Sequence, residues 1–324
     1  VGRGVITTST YEARALGVFS GMGLMKSAQS APDAILLPAN FEAYRRYSHR
    51  FKAAVAAIAP MIEDRGIDEI YIDLSALEAE SQVLAERLRQ AVRDATGLSC
   101  SIGISPNKTL SKIASDLNKP NGITVLGEAD WRQRIWPLPA RKINGIGPKA
   151  AARLAQLDIA TIGALAAAPE AFLVAHFGVA SGRWMHRVAN GIDERPVVTE
   201  SEPKSISRES TFERDLHARH DRAALSEIFT GLCARVADDL GRQGVACRTV
   251  GIKLRYADFQ SVTRDITLPF SVSDGPRIRR AAGECLKRVA LDRRIRLLGV
   301  RATGLCPVGA EHSGGVMQLA LPLL

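Results

Sequence analysis

Two neighbouring carboxylates, Asp68 and Glu69, interrupt an otherwise apolar run, GIDEIYIDL, at residues 66–74. The run has strand composition. Successive side chains of a strand point to opposite faces, so two adjacent acids share a metal only if the strand begins there and its twist brings both round. An isolated Asp-Glu pair on a strand is ordinarily a solvated edge, but here phosphate-binding features flank it. TTSTYEAR (7–14) places a helix N-terminus after two threonines, where free backbone N–H groups and the helix dipole attract anions. Tyr11 and Arg14, three apart, fall on one helical face. Downstream, SPNKTLSKIASDLNKPNG (105–122) offers Lys108 and Lys112 on a second helix and Lys119 in an Asn-Lys-Pro-Asn-Gly turn. Carboxylates among such groups point to phosphoryl chemistry, in which divalent metals bridge acids and phosphates. A pair of metals needs more carboxylates than these two.

Several elements must position these residues. Residues 4–10 read as a strand, and Ser9 followed by Glu12 is a capping-box pattern that predicts a helix over 10–16. Apolar residues and Ala recur at helical spacing from Asn40 to Ile62, closing just after Pro60. An Arg-rich amphipathic helix is predicted over 80–96, ended by Gly97, and LSCSIGIS (98–105) is a strand leading into a helix near Asn107. Strand, helix and strand in this order predict an α/β sheet. After a proline-containing boundary, residues 138–196 read as all helical and 197–204 as a polar linker. Beyond it, KSISRESTF, ACRTVGIKLRYADF, SVTRDITLPF and IRLLGVRATGL alternate with helical stretches at 221–242 and 274–290, a second α+β domain.

Net charge is +9, and residues 204–301 hold 20 Lys and Arg against 12 Asp and Glu, leaving 23 against 22 elsewhere. A basic module on a near-neutral body suggests an acidic polymer as partner, nucleic acid before an anionic membrane. No run of apolar residues is long enough to span a bilayer, no signal peptide is recognisable, and five scattered cysteines suggest neither zinc nor disulfides. The expectation is a cytoplasmic protein.

INGIGPK (143–149) carries a Gly-x-Gly turn, through Gly145 and Gly147, followed by Lys149. Such a turn lets backbone N–H groups approach a DNA phosphate without regard to sequence. The alternative is an ordinary glycine turn between helices. The terminus MQLALPLL (317–324) is an apolar segment on a Gly-containing tether, a peptide suited to docking elsewhere.

In this order and spacing, TTSTYEAR, IDEIYIDL, SIGISPNKTLSKIASDLNKPNG, INGIGPKAAARL and KSISRESTF resemble the Y-family translesion DNA polymerases, most nearly the bacterial DNA polymerase IV branch, across essentially the whole chain. The resemblance implies an α/β (α+β) multidomain fold. Its parts would be fingers (1–50), a palm-like sheet (51–137), a helical thumb with a helix-hairpin-helix (138–196), a linker (197–204), a second α+β little-finger domain (205–306) and a tail (307–324). It implies that Asp68 holds a metal, that Glu69 is catalytic and a metal ligand, and that two Mg²⁺ are used. Thr8, Tyr11, Arg14 and Lys119 would contact the triphosphate of an incoming dNTP. Gly145, Gly147 and Lys149, with Lys204, Ser205, Ser207 and Arg208 on the first little-finger strand, would meet primer–template DNA. The tail is similar to the bacterial sliding-clamp motif, with Gln318 hydrogen-bonding the clamp and Leu321, Leu323 and Leu324 filling its pocket. A monomer acting in DNA repair is implied. The family's remaining metal aspartate and its aromatic steric gate lie on a strand ahead of the fingers, so the chain is expected to be a fragment that begins after it. Gly66 stands where the family often has Ser, and Phe19 where relatives carry Arg. The rival reading is a non-catalytic, clamp-tethered scaffold, against which the intact DEIYID argues. A nucleotidyl cyclase leaves the hairpin, basic domain and tail without a purpose.

Overall fold

A computed structural model describes residues 2–127 and 129–309. The chain divides into two compact units, one formed by residues 39–201 and the other by 1–38 with 202–324.

The unit that carries the acid pair opens with α3 (Phe41–Ala56), capped by the Asn40 side chain, which accepts from Ala43 N at 3.0 Å. Two short helices, α1 (Tyr11–Ala15) and α2 (Leu24–Ser30), precede it in the other unit. The helix expected to reach Ile62 stops at Ala56, because Pro60 has no N–H to continue it. The last residues of that apolar stretch instead form a strand, β1 (Ile62–Asp64), antiparallel to β2 (Ile70–Ile72). A helix α4 (Ser81–Thr96) follows, ended by Gly97 in the left-handed conformation as its sequence predicts. Val55, Ala59, Leu88 and Val92 close a small core over the hairpin, joined by Ile62, Ile70 and Ile72.

A second ladder pairs β3 (Ile102–Ile104) in parallel with β4 (Ile123–Val125), the crossover being α5 (Lys108–Leu117). The strands of this region thus form two two-stranded ladders. Gly103 is what lets α5 lie on β3, since a Cβ there would stand 2.2 Å from Ser111 O and 2.4 Å from Ser115 N. Four helices follow: α6 (Pro148–Ala155), α7 (Ile162–Ala167), α8 (Glu170–Phe177) and α9 (Val179–Ala189). They bury Leu154, Ile162, Leu165, Leu173 and Met185 in one core with Ile113 of α5.

In the other unit, β5 (Ser205–Leu216), α10 (Arg222–Arg242), β6 (Val245–Tyr256), β7 (Ser261–Val272), α11 (Gly275–Lys287) and β8 (Ile295–Pro307) build an antiparallel sheet in the order β5-β8-β6-β7. Both helices cover one face, where Ile206, Phe212, Val250, Ile252, Leu254, Leu298 and Val300 meet Phe229, Leu232, Val236, Ile278 and Cys285. The alternation along each strand sets this arrangement. Residues 4–10 do not form the expected strand; Val5 makes a single bridge to Gly23. The cap of α1 is Thr10, whose Oγ1 accepts from Ala13 N at 3.3 Å, while Ser9 Oγ donates to Val18 O. A cap one residue later leaves Glu12 two positions away instead of three, so the capping box does not form. Arg3 also pairs with Asp215 of β5 at 2.6 Å.

Candidate active site

Asp68 and Glu69 are exposed and lie in the connection between β1 and β2, because the strand begins only at Ile70. The pleat does not set them on opposite faces. The connection is fastened at several points. Lys52 of α3 donates to Asp64 Oδ2 and to Gly66 O, each at 2.7 Å; Gly66 N donates to Asp64 Oδ1 at 2.9 Å, and Arg65 N to Glu69 O at 3.1 Å. The Lys52 ammonium, then the Gly66 amide, hold the Asp64 carboxyl below its ordinary range against a smaller opposing effect of burial. Lys52 carries no motif, and only its place one turn before the end of an amphipathic helix could have marked it.

Glu69 is paired with Lys112 of α5. Burial works to lower the Lys112 pKa, but Glu69 first and Asp116 next raise it on balance, so this lysine stays cationic. Lys119 reaches back to Asp116 at 2.6 Å. Acid, lysine, acid and lysine therefore run in a row from Glu69 along α5 to the Asn-Lys-Pro-Asn-Gly turn. At 1.5 Å per residue, Asp116 stands roughly 6 Å along the axis from Lys112, and Lys119 follows just beyond the helix end at Leu117. Asn118 fixes the turn by donating to Thr124 Oγ1 at 2.9 Å.

Lys108 does not share this role. It is buried, 8 % exposed, and donates to Glu63 Oε2 at 2.6 Å and to Pro196 O at 2.7 Å. Burial alone would push the Glu63 carboxyl up; the Lys108 ammonium and the Val198 amide outweigh it and hold it below the usual range. Nearby, Asp193 accepts from Thr109 N at 3.0 Å and Thr109 Oγ1 at 2.7 Å and is forked by Arg195. Arg195 and then Thr109 hold it well below the usual carboxylate range despite its burial. Neither Glu63–Lys108 nor Thr109–Asp193, 45 and 84 residues apart, has a local signal in sequence.

Tyr11 and Arg14 do come together: the guanidinium lies 5.4 Å from the ring centroid, and its Nε donates to Ser9 O at 3.1 Å. Thr8 is exposed just ahead of them. In the helical region, Gly145 has φ of 111° and Gly147 caps α6, with Pro148 at its first turn and Lys149 exposed. A Cβ on Gly145 would meet the Trp184 ring at 2.6 Å, so the turn is confined to glycine twice over.

On β5, Ser205 and Ser207 face away from the helices, whereas Arg208 shares the parity of buried Ile206 and forks onto Asp239 of α10. Register aligns Ser207 with Arg301, Gly251 and Asp265, and Glu209 with Gly299, Lys253 and Thr263. The open face thus carries Lys253, Arg255 and Arg301, none of them foreseen individually. Arg301 pairs with Asp265 and Lys253 with Glu209, each at 2.8 Å. Lys204 immediately precedes this strand, and Gln318, Leu321, Leu323 and Leu324 lie outside the described residues.

Asp68 and Glu69 offer hard oxygen donors, which suit Mg²⁺ held by one or two carboxylates with substrate phosphates completing its shell. Among the described residues no group of three or more His, Cys, Asp or Glu is gathered as a metal site. The donors present fit one such ion; a pair needs a further carboxylate.

The fold is similar to that of a solved Y-family DNA polymerase. The Y-family DNA polymerase chimera Dbh-Dpo4(243-245)-Dbh matches with a TM-score of 0.81, covering 94% of this chain and 89% of that one at 24% identity. Palm, fingers, thumb and little finger are therefore the architecture of the chain. The impB/mucB/samB family matches residues 1–116 and its C-terminal domain residues 203–321. DNA polymerase IV of Methanoculleus marisnigri is 39% identical over 94% of this chain and 84% of its own. DNA polymerase IV of Alkalilimnicola ehrlichii is 36% identical over 99% and 89%. The chain belongs to the impB/mucB/samB family, alongside DNA polymerase IV.

Proposed function

We propose that this protein is a translesion DNA polymerase that transfers a nucleotidyl group from a dNTP to a primer 3′-hydroxyl. Membership of the family supports DNA-directed polymerisation. The observation that carries the active-site assignment is the charged row joining Glu69, Lys112, Asp116 and Lys119, which ties the acid pair to the lysine turn within one unit. Asp68 and Glu69 supply oxygen donors for Mg²⁺, two ions being used if a further carboxylate joins them. When bound, Mg²⁺ neutralises the triphosphate and lowers the pKa of the attacking hydroxyl. Lys119, Thr8, Tyr11 and Arg14 bind phosphate oxygens and hold charge on the departing pyrophosphate. For Glu69 to act, its carboxylate leaves Lys112, which stays charged beside it. The test is template-directed extension of a primed oligonucleotide by protein expressed from the complete coding sequence. A folded, duplex-binding protein that adds no nucleotide contradicts the reading.

Gly145, Gly147 and Lys149 serve as a sequence-indifferent phosphate contact, and the open face of the four-stranded sheet lies along the duplex backbone. Ser205 and Ser207 are on that face and Lys204 immediately precedes their strand; Arg208, engaged by Asp239, contributes only if it lets go. Lys253→Ala or Arg301→Ala should each reduce the slope of log affinity against log salt by about 0.9, measured by fluorescence anisotropy. An unchanged slope removes that residue from the interface.

The protein acts as a monomer on primed DNA, and its last residues recruit a sliding clamp. Deleting 318–324 should abolish clamp binding and leave extension of short templates unchanged; clamp binding that survives contradicts the assignment. Among the described residues no helix is long and apolar enough to cross a membrane, and a cytoplasmic setting suits the reaction.

A further inference from the structure

The segment that leaves the helical region does not run free to the basic sheet. After α9 ends at Ala189, Gly191 O accepts from Asn107 Nδ2 at 2.9 Å, Asp193 accepts from the backbone N–H and the hydroxyl of Thr109 in the first turn of α5, Pro196 O accepts from Lys108 Nζ, and Val198 N donates to Glu63 Oε2 at 3.0 Å. Two of these bonds converge on a buried ion pair whose members, Glu63 and Lys108, are 7 % and 8 % exposed. Glu63 belongs to β1, the strand that leads into the Asp68–Glu69 connection, and Lys108 lies 5.6 Å from the ring centroid of Tyr71 on β2.

We propose that Glu63 and Lys108 are a positioning pair that clamps residues 194–198 to the acid-bearing hairpin, so that the tether to the basic sheet begins only after Val198. Both members are engaged by protein groups, Glu63 by Lys108 and Val198 and Lys108 by Glu63 and Pro196. It fixes where the tether starts, and it does so on the hairpin that carries the acids. A buried ion pair of this kind contributes little net stability compared with apolar residues of similar volume, whereas it defines geometry through the extra bonds that its oxygens and protons make. The alternative role, as a fold-stabilising pair only, makes no demand on where the tether begins.

The consequence is one of length. With the clamp in place the tether comprises residues 199–204, ahead of Ser205 of β5. With the clamp undone and Asp193 still held, it comprises residues 194–204. Effective concentration falls as the −3/2 power of tether length, so duplex binding that uses both units should weaken, by no more than about 2.5-fold because the chain also joins the two units between residues 38 and 39. This affinity effect rests on the proposed grip on DNA; the clamp itself does not.

The experiment compares three proteins, each expressed from the complete coding sequence. They are the unaltered protein, the double variant Glu63→Met with Lys108→Met, which removes both charges at similar volume, and a third with five Gly/Ser residues inserted after Ser201. Hydrogen exchange is read at residues 190–204, affinity is measured on a primed duplex, and kcat and KM for dNTP are measured at saturating DNA. The double variant is expected to exchange faster at 194–198 while β1, β2 and α5 stay protected. Its duplex affinity should fall by up to about 2.5-fold, with kcat and KM for dNTP unchanged. The insertion should reproduce the affinity loss with 194–198 still protected. Unchanged exchange at 194–198 in the double variant overturns the clamp, as does faster exchange spread through α5 and the hairpin. Faster exchange there, with both proteins binding the duplex as tightly as the unaltered one, overturns its role as the origin of the tether.

Discussion

Replacing Asp68 by Ala, or Glu69 by Gln, should lower single-turnover primer extension by about 10³-fold or more, which is about 4 kcal/mol of transition-state stabilisation. The size follows from the role. A carboxylate that holds a divalent ion against transferring phosphates acts where charge develops in the transition state. Both side chains are exposed in the connection between β1 and β2 and bury nothing. Their loss should therefore leave folding and duplex affinity within a factor of two of the unaltered protein. The two variants differ in one respect. Glu69→Gln also releases Lys112 from its partner, whereas Asp68→Ala leaves that pair in place. Lys112→Ala should in turn be far milder than either acid variant. Extension that persists in Asp68→Ala, at normal duplex affinity, would remove Asp68 from the chemistry.

Lys108→Met alone should be the most destabilising substitution on α5. It leaves the Glu63 carboxylate buried without its ammonium, a change that costs about 3–5 kcal/mol when one member of a buried pair is removed. For a unit of this size that corresponds to a fall in Tm of about 10–15 °C. The double Met variant should recover most of it, because the penalty lies in the orphaned charge. The pH dependence gives an independent check. In the unaltered protein the Glu63 pKa is depressed, so its contribution is present above the unfolded carboxylate value and is lost as pH falls through the folded one. In Lys108→Met, burial, the largest influence on Glu63, loses the strongest of its counterweights, and the pKa is expected to move above the unfolded value. Stability is then retained below that value and lost as pH rises through the folded one, so the deficit should shrink on acidification from pH 7 to 5. Thermal melts across that range measure it; a deficit that grows toward acid would mean that Glu63 is not the orphaned group.

Where local signals are strong, the sequence was a good guide. Asn107 caps α5 and Gly97 ends α4 as expected, and the four strands and two helices of the basic domain fall on the segments whose alternation and helical spacing mark them. Local reading failed where apolar composition is ambiguous or the partner is distant. Ile62–Asp64 looks like the end of α3 until Pro60 is given its full weight, and the strand after Asp68 starts later than the apolar run suggests. The parity of Ile206 and Phe212 already sets Arg208 on the covered face, a signal present in the sequence but not counted. Glu63 and Lys108, 45 residues apart, offer no such signal, since a lysine beside the phosphate-binding turn reads as a phosphate ligand until burial is known. The acid pair was legible as chemistry; its fastening by Lys52 and its charged row along α5 were not.

The central claim is that Asp68 and Glu69 hold a divalent cation against the phosphates of a nucleotide. Its most direct test is a Mn²⁺ titration followed by electron paramagnetic resonance, with primed duplex and a non-hydrolysable dNTP analogue present. The unaltered protein is compared with an Asp68→Ala, Glu69→Gln double variant of equal duplex affinity. The account predicts nucleotide-dependent Mn²⁺ binding that the double variant loses. Equal Mn²⁺ binding by both proteins would contradict it.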